Sequence, residues 1–195
     1  PIAVFARLDT TDGIYVFDKT STNLRPIAEL ETGVEDFVSD PVVGDFFVDN
    51  DEFPCSEIAL ASRDGTELAV YSLCDAPLPN GALGWRDAAY VETVPLDPPA
   101  RIAQSLLTTD LDGDGHLDII VGTEAGPYVA FGDGSRFDSA RPHSFNFIDD
   151  DFIAPDAVPL AAGDITGDGI PDLVFPEGLV FSLVDPETGE PGYKT

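Results

Sequence analysis

Residues 110–118 read DLDGDGHLD, a stretch that places four aspartates within nine residues. Two like charges about 4 Å apart cost roughly 4 kcal/mol in the dielectric typical of a protein surface. A loop of this kind is therefore expected to be poorly ordered unless a positive charge lies among its carboxylates. That positive charge is missing from the sequence.

The same plan recurs further along the chain, where residues 164–172 read DITGDGIPD. We call residues 110–118 the first acidic loop and residues 164–172 the second acidic loop. Each leads into a short apolar run, at 119–121 and 173–175, which is followed by a glycine-containing turn and another apolar run. Apolar runs bounded by such turns predict a β-hairpin after each acidic loop.

Two weaker copies of the plan precede these loops. Aligning the copies makes Ile2, Ile58, Ile119 and Leu173 equivalent positions. The resulting period is roughly 55–60 residues, and a regular period of this kind indicates a repeat architecture. Each unit has the pattern of four short antiparallel strands, so the sequence predicts an all-β fold, a β-propeller with one blade for each repeat.

The predicted propeller is incomplete in this chain. The repeat units fall approximately at residues 1–40, 41–100, 101–158 and 159–195. The pattern starts at the second strand of one blade and ends after the third strand of another, which gives about three and a half blades. The unpaired edges predict association with other protein chains, with remaining blades of the same protein, or with a second copy as a homo-oligomer.

Composition supports a folded β-rich chain and excludes several partners. Thirteen Phe, 17 Pro and 18 Gly in 195 residues fit short strands separated by turns. The formal net charge of −28 opposes binding to nucleic acid or to an anionic membrane surface. No run approaches the ~20 apolar residues of a membrane span, so we expect no membrane insertion. Because the chain begins at Pro1 and contains no Met, we expect it to be a piece of a longer product.

Alternate positions of the first acidic loop carry oxygen ligands. Its glycines permit the sharp turn that lets alternate side chains converge on one point, and a hard-oxygen shell of this kind suits Ca²⁺ better than Mg²⁺. The predicted ligands are the side chains of Asp110, Asp112, Asp114 and Asp118 with the main-chain carbonyl of His116. In the second acidic loop they are Asp164, Thr166, Asp168 and Asp172 with the carbonyl of Ile170, and the neutral threonine predicts a weaker site.

An EF-hand is excluded for both acidic loops on two counts. An EF-hand needs a glutamate at position 12 and flanking helices, whereas position 12 is Val121 or Phe175 within a β-forming run. Plain Asp-Gly β-turns remain the alternative to calcium. A degenerate third loop with Asp45, Asp49, Asp51 and Glu57 is interpreted as an ordinary acidic turn rather than a metal site.

In its acidic loops and the runs that follow them, the sequence resembles the FG-GAP repeat of integrin α-subunit propellers and the related VCBS-type repeats of bacterial surface proteins. The resemblance lies in DLDGDGHLDIIVGTEAGP at residues 110–127, in Phe131-Gly132, and in GDITGDGIPDLVF at residues 163–175. It implies a structural Ca²⁺ ion in each loop, held between the first two strands of a blade.

The two cysteines fall at the base of a predicted hairpin. If residues 58–62 pair with residues 69–73 around the turn at 63–66, Cys55 and Cys74 lie almost opposite each other. A disulfide and two separate buried thiols are both compatible with this placement. No second Cys or His pair accompanies them, which argues against a zinc site.

Together these features predict a calcium-stabilised, non-catalytic module of a secreted or cell-surface protein. Its role would be adhesion, assembly or ligand binding, with carbohydrate among the ligand classes. The alternative is the propeller portion of a secreted carbohydrate-active enzyme. That activity would require carboxylates converging in a groove, and the sequence singles out no such pair.

Overall fold

The computed structural model describes ten segments of the chain, and every structural statement below refers to them. They are residues 13–17, 26–31, 41–48, 55–61, 67–77, 83–85, 89–143, 158–176, 179–184 and 191–194.

These segments form strands joined by turns, so the described part of the chain is all-β. The strands are β1 Gly13–Phe17, β2 Pro26–Glu31, β3 Val42–Gly44, β4 Cys55–Ala61, β5 Glu67–Pro77, β6 Leu83–Trp85, β7 Ala89–Pro95, β8 Ile102–Thr109, β9 Asp118–Thr123, β10 Gly126–Ala130, β11 Arg141–Pro142, β12 Ala161–Gly163, β13 Asp172–Val174, β14 Leu179–Val184 and β15 Pro191–Lys194. The described segments contain no helix with the length and apolar character that crossing a membrane requires.

The strands assemble into antiparallel sheets in chain order. The preceding sheet has the order β3-β4-β5-β7, with the short β6 paired to the far end of β5. The central sheet has the order β8-β9-β10-β11, and the following sheet has the order β12-β13-β14-β15. Strands β1 and β2 form a separate two-stranded pair. The central and following sheets therefore run up and down between sequence neighbours, whereas in the preceding sheet β6 lies in the chain between β5 and β7.

Both faces of the central sheet are covered, which explains why β9 and β10 are buried along their whole length. Alternate side chains of a strand point to opposite faces. Ile119 and Val121 join a core cluster with residues of the preceding sheet such as Leu68. Ile120 packs instead with Leu173 of the following sheet. The three sheets are thus stacked face to face, with the central sheet in the middle.

Backbone contacts reinforce the stack at both edges. At one edge, the first strand of the central sheet, β8, contacts the first strands of the other two sheets, β3 and β12. At the other edge, Ala140 N donates to Pro95 O at 2.9 Å, and Asp97 N donates to Ala140 O at 2.8 Å. Nearby, Phe137 N donates to Glu92 Oε1 at 2.9 Å. Burial raises the pKa of Glu92, and this backbone hydrogen bond opposes the rise.

Three of the four positions that the repeat alignment makes equivalent lie in described residues. Ile58, Ile119 and Leu173 each lie in the second strand of their sheet and are fully buried. Ile2 lies outside the described residues. Strands β1 and β2 lie within the first predicted repeat unit, residues 1–40.

One strand count was wrong. The last repeat does not stop after its third strand, because Pro191–Lys194 pairs with β14 as a fourth strand, with Val184 opposite Pro191. The segment starts with a proline and a glycine, which are typical of turns, and this is why the sequence did not predict a strand there. A proline at the first position of an edge strand interrupts no inner ladder, so the pairing is tolerated.

Candidate metal centre

The backbone of the first acidic loop is shaped by one aspartate and two glycines. Gly113 and Gly115 have φ values of 77° and 92°, which residues with a side chain rarely adopt. This turn brings the amide of Gly113 to 2.8 Å from Asp110 Oδ1 and the amide of Gly115 to 2.9 Å from Asp110 Oδ2. Asp110 therefore organises the loop that it opens.

Asp118 closes the loop from inside the protein. Its side chain is fully buried. Leu111 N donates to Oδ2 at 2.7 Å, and Gly132 N donates to Oδ1 at 2.9 Å. Because Gly132 follows the third strand of the sheet, the carboxylate joins the acidic loop to the end of β10.

The electrostatics of Asp118 show the cost of its position. The pKa of Asp118 is raised to about 6, chiefly by burial and further by the charges of Asp112 and Asp110, although the amides of Gly132 and Leu111 oppose the rise. Without a cation, the position of Asp118 thus disfavours the ionised form of its carboxyl group. A cation among these carboxylates would reverse the repulsive part of this effect.

Three predicted ligands converge in the structure. Oxygen atoms of Asp110, Asp112 and Asp118 lie within 4.8 Å of one another. Among the described residues, no other group of three Asp, Glu, His or Cys side chains comes this close together. Asp114 is not in the group. Its Oδ1 instead accepts a hydrogen bond of 2.8 Å from His116 N. The contribution of the His116 carbonyl to an ion stays a prediction.

The second acidic loop repeats this geometry position by position. Asp164 accepts from the amides of Gly167 at 2.6 Å and Gly169 at 3.0 Å, and these glycines have φ values of 80° and 87°. Asp172 is fully buried and accepts from Ile165 N at 2.7 Å. The two loops are therefore built on one hydrogen-bonding scheme.

The second loop differs at its third position. Thr166 stands where the first loop has Asp112, so the three positions that converge there include only two carboxylates here, Asp164 and Asp172. Asp168, like Asp114, turns to a local amide and accepts from Ile170 N at 2.9 Å. The ligand role of the Ile170 carbonyl stays a prediction.

The donor chemistry of the first loop fits a hard divalent cation. Each carboxylate oxygen has two lone pairs, so the oxygens of Asp110 and Asp118 keep accepting capacity beyond their amide partners. Ca²⁺ binds carboxylate, carbonyl and hydroxyl oxygens in flexible geometry, which an exposed loop can adjust to provide.

The third, degenerate loop is only partly described. Asp45 is exposed, Glu57 is buried, and Asp49 and Asp51 lie outside the described residues. Glu57 Oε2 accepts from Phe46 N at 2.9 Å, and Ser72 Oγ donates to Glu57 Oε1 at 3.0 Å.

Two contacts around the first loop were not predicted. A Cβ atom on Gly132 would lie 2.5 Å from the Leu117 carbonyl oxygen, which explains the glycine after Phe131. The His116 ring lies against Gly134, whose φ is 76° and whose carbonyl accepts from Val48 N of the preceding sheet at 2.7 Å. The glycines themselves were the only signal in the sequence for either contact.

Comparison with known proteins identifies the segment that carries both loops. Residues 110–175 match the family model described as an FG-GAP-like repeat. The match begins at Asp110, the first residue of the first acidic loop, and ends at Phe175, just after β13. This segment of the chain is consistent with an FG-GAP-type repeat. The chain finds no match among curated proteins or among solved structures.

Proposed function

We propose that the protein is a calcium-stabilised β-propeller module whose acidic loops hold structural Ca²⁺ ions. The observation that carries the proposal is the convergence of Asp110, Asp112 and Asp118 within a loop whose backbone is already folded around them. Calcium would bind the folded loop and not the unfolded chain, so it would stabilise the fold in proportion to its concentration.

Two loops with one hydrogen-bonding scheme support a shared role. In both, the first aspartate holds the amides of the fourth and sixth positions, and the ninth holds the amide of the second. An isolated Asp-Gly turn needs no such agreement. With Thr166 as a neutral ligand, the second loop would bind calcium more weakly than the first.

The stacking of the sheets supports the propeller arrangement. Four-stranded antiparallel sheets that follow one another in chain order and pack face to face are the building units of this fold. Contact of β8 with both β3 and β12 brings the first strands of successive sheets together, as blades around a common axis require.

An extracellular or cell-surface location fits these properties. Extracellular modules use calcium sites of low affinity because the ion is abundant there. Cys55 lies directly opposite Cys74 in the β4–β5 ladder, and directly opposite residues fall within the Cα separation of a disulfide. We therefore include a Cys55–Cys74 disulfide in the proposal. The module would serve adhesion, assembly or ligand binding without catalysis, and the carbohydrate-active alternative and the homo-oligomer stay predictions.

Isothermal titration calorimetry with calcium tests the proposal on chelator-treated protein. We expect two binding events of different affinity. Asp112→Ala should abolish the tighter one, because it removes one of three converging carboxylates, and Asp168→Ala should affect the weaker one only. Magnesium serves as the control ion and should bind far more weakly.

The outcomes of this titration are distinct. Absence of calcium binding to the wild-type protein would contradict the proposed function. Loss of both events in Asp112→Ala would contradict the assignment of one ion to each loop.

A further inference from the structure

Residues 45–48, which follow β3 and which we call the β3–β4 turn, occupy the same place in their sheet as the starts of the two acidic loops. In each sheet an acidic residue of the second strand pairs with the last residue of the first strand. The pairs are Gly44 with Glu57, Thr109 with Asp118 and Gly163 with Asp172. In each, the amide two residues after the first strand donates to that carboxylate. These donors are Phe46, Leu111 and Ile165, at 2.9, 2.7 and 2.7 Å.

One position that would bind an ion differs in this turn. The third position, Asp112 in the first acidic loop, is Phe47, whose ring packs edge to face against Phe137 at 5.8 Å. The second position, Phe46, is 1% exposed and packs against the same ring at 5.3 Å. A ligand position has therefore become part of the contact with the central sheet.

The amide that would close a metal loop also has another partner. At the fourth position of the acidic loops, Gly113 N and Gly167 N donate to the first aspartate. The fourth position here is Val48, and its amide donates to Gly134 O, in the connection between β10 and β11, at 2.7 Å. The fourth-position amide of this turn thus donates outside its own loop, whereas the corresponding amides of the acidic loops donate within theirs.

Glu57 supplies a link within its own sheet. Its carboxylate accepts from Phe46 N just beyond β3 and from the Ser72 hydroxyl on β5. One buried side chain therefore joins the first and third strands, as Asp118 does through Leu111 and Gly132.

We propose that the β3–β4 turn is a metal-independent member of the repeat, in which Glu57 and the contact with the central sheet provide the order that calcium provides in the acidic loops. Glu57 is the positioning residue of this turn. The contrast rests on the proposed calcium role of the two acidic loops, whereas the role of Glu57 does not.

Amide hydrogen exchange followed by NMR tests the inference on wild-type protein with excess calcium and with excess chelator. We expect Leu111 and Ile165 to exchange at least tenfold faster in chelator, and Phe46 to change less than twofold. Glu57→Met keeps the length of the side chain but removes both acceptors. It should speed Phe46 exchange at least tenfold in both conditions, because no ion compensates for the missing carboxylate.

Two further variants keep the test independent of the stability of Glu57→Met. In Glu57→Gln the side-chain oxygen can accept from Phe46 and the amide can donate to the Ser72 oxygen, so protection of Phe46 should be retained. Asp45→Asn and Asp110→Asn form a matched pair at the first loop position. The former should leave the number of bound calcium ions unchanged, and the latter should lower it by one.

Faster exchange of Phe46 in chelator equal to that of Leu111, or loss of a calcium ion in Asp45→Asn, would overturn the inference. So would unchanged Phe46 protection in Glu57→Met. If chelator affects neither Leu111 nor Ile165, the proposed calcium role fails and the contrast fails with it. Even then, loss of Phe46 protection in Glu57→Met would still show that Glu57 is the positioning residue of this turn.

Discussion

At the scale of single residues, the ninth-position aspartates connect the acidic loops to the core. Asp118 and Asp172 are fully buried, whereas the third- and fifth-position aspartates of the loops are exposed. The buried members fix the backbone, and the exposed members are free to adjust to an ion. We infer that the two groups contribute differently to stability and to calcium affinity.

Asp118→Asn should lower the free energy of unfolding in chelator by about 1–3 kcal/mol, the usual cost of leaving a buried donor without an acceptor. An asparagine has one oxygen, so its amide must face the N–H of either Leu111 or Gly132. Asp114→Asn is the matched control, because its oxygen can still accept from His116 N, and its stability should stay close to that of the wild type. Urea unfolding compares the two, and equal stabilities would contradict the anchoring role.

Gly132→Ala should destabilise the protein by about 1–3 kcal/mol through overpacking, because the new Cβ would lie 2.5 Å from the Leu117 carbonyl oxygen. Gly163→Ala is the control, since a Cβ there meets no atom within 4 Å. Thermal unfolding of the two variants in the same buffer measures the difference. A Gly163→Ala variant less stable than Gly132→Ala would refute this explanation of the glycine.

Sequence reasoning predicted the sharp turns at Gly113 and Gly115 because an alternating ligand pattern requires them. It did not predict that Asp114 would turn to the His116 amide. An exposed carboxylate can accept from a nearby amide or bind an ion, and its partner depends on whether an ion is present. The sequence alone does not determine which partner it has. The close approach behind Gly132 involves residues far apart in the chain and leaves no local pattern.

At the scale of elements, the β4–β5 hairpin was predicted, but its register differs by two residues. Pairing residues 58–62 with 69–73 puts Ile58 opposite Leu73, whereas Ile58 lies opposite Tyr71, and this places Cys55 directly opposite Cys74. Alternating apolar residues and a polar turn define such a hairpin locally, so the sequence suffices for the hairpin itself. Strand β15 lacks these signals, and only its pairing with β14 reveals it.

The proposed disulfide can be tested by alkylation and mass spectrometry of the denatured protein. We expect no thiol to react before reduction and two to react after it. Cys74→Ala should lower stability by about 3 kcal/mol, the typical effect of removing a bond that closes a short loop. Two reactive thiols in the unreduced protein would show that the cysteines are separate.

At the scale of the whole molecule, the repeat period predicted the order of the sheets better than their contacts. The equivalent apolar positions are a local pattern of the sequence. In three sheets the residue at this position lies buried in the second strand. The hydrogen bonds from Ala140, Asp97 and Val48 that join neighbouring sheets involve backbone atoms. Backbone donors are present at almost every residue, so no sequence pattern identifies which of them cross between sheets.

The large negative charge means that any cation, including calcium, can stabilise the chain by reducing repulsion between its carboxylates, without binding in the loops. A net charge of −28 destabilises the compact state by self-repulsion. Monovalent salt screens that repulsion without occupying the loops, so it must be held constant when calcium is compared with chelator.

The most direct test of the calcium proposal is a thermal melt of the wild-type protein in calcium and in chelator at one ionic strength. A single site at a hundred times its dissociation constant adds about 2.7 kcal/mol, which corresponds to roughly 5–10 °C in a chain of this size. We predict a rise of at least that order with calcium, a much smaller rise with magnesium, and a reduced rise in Asp112→Ala. Identical melting temperatures in calcium and chelator would contradict the account.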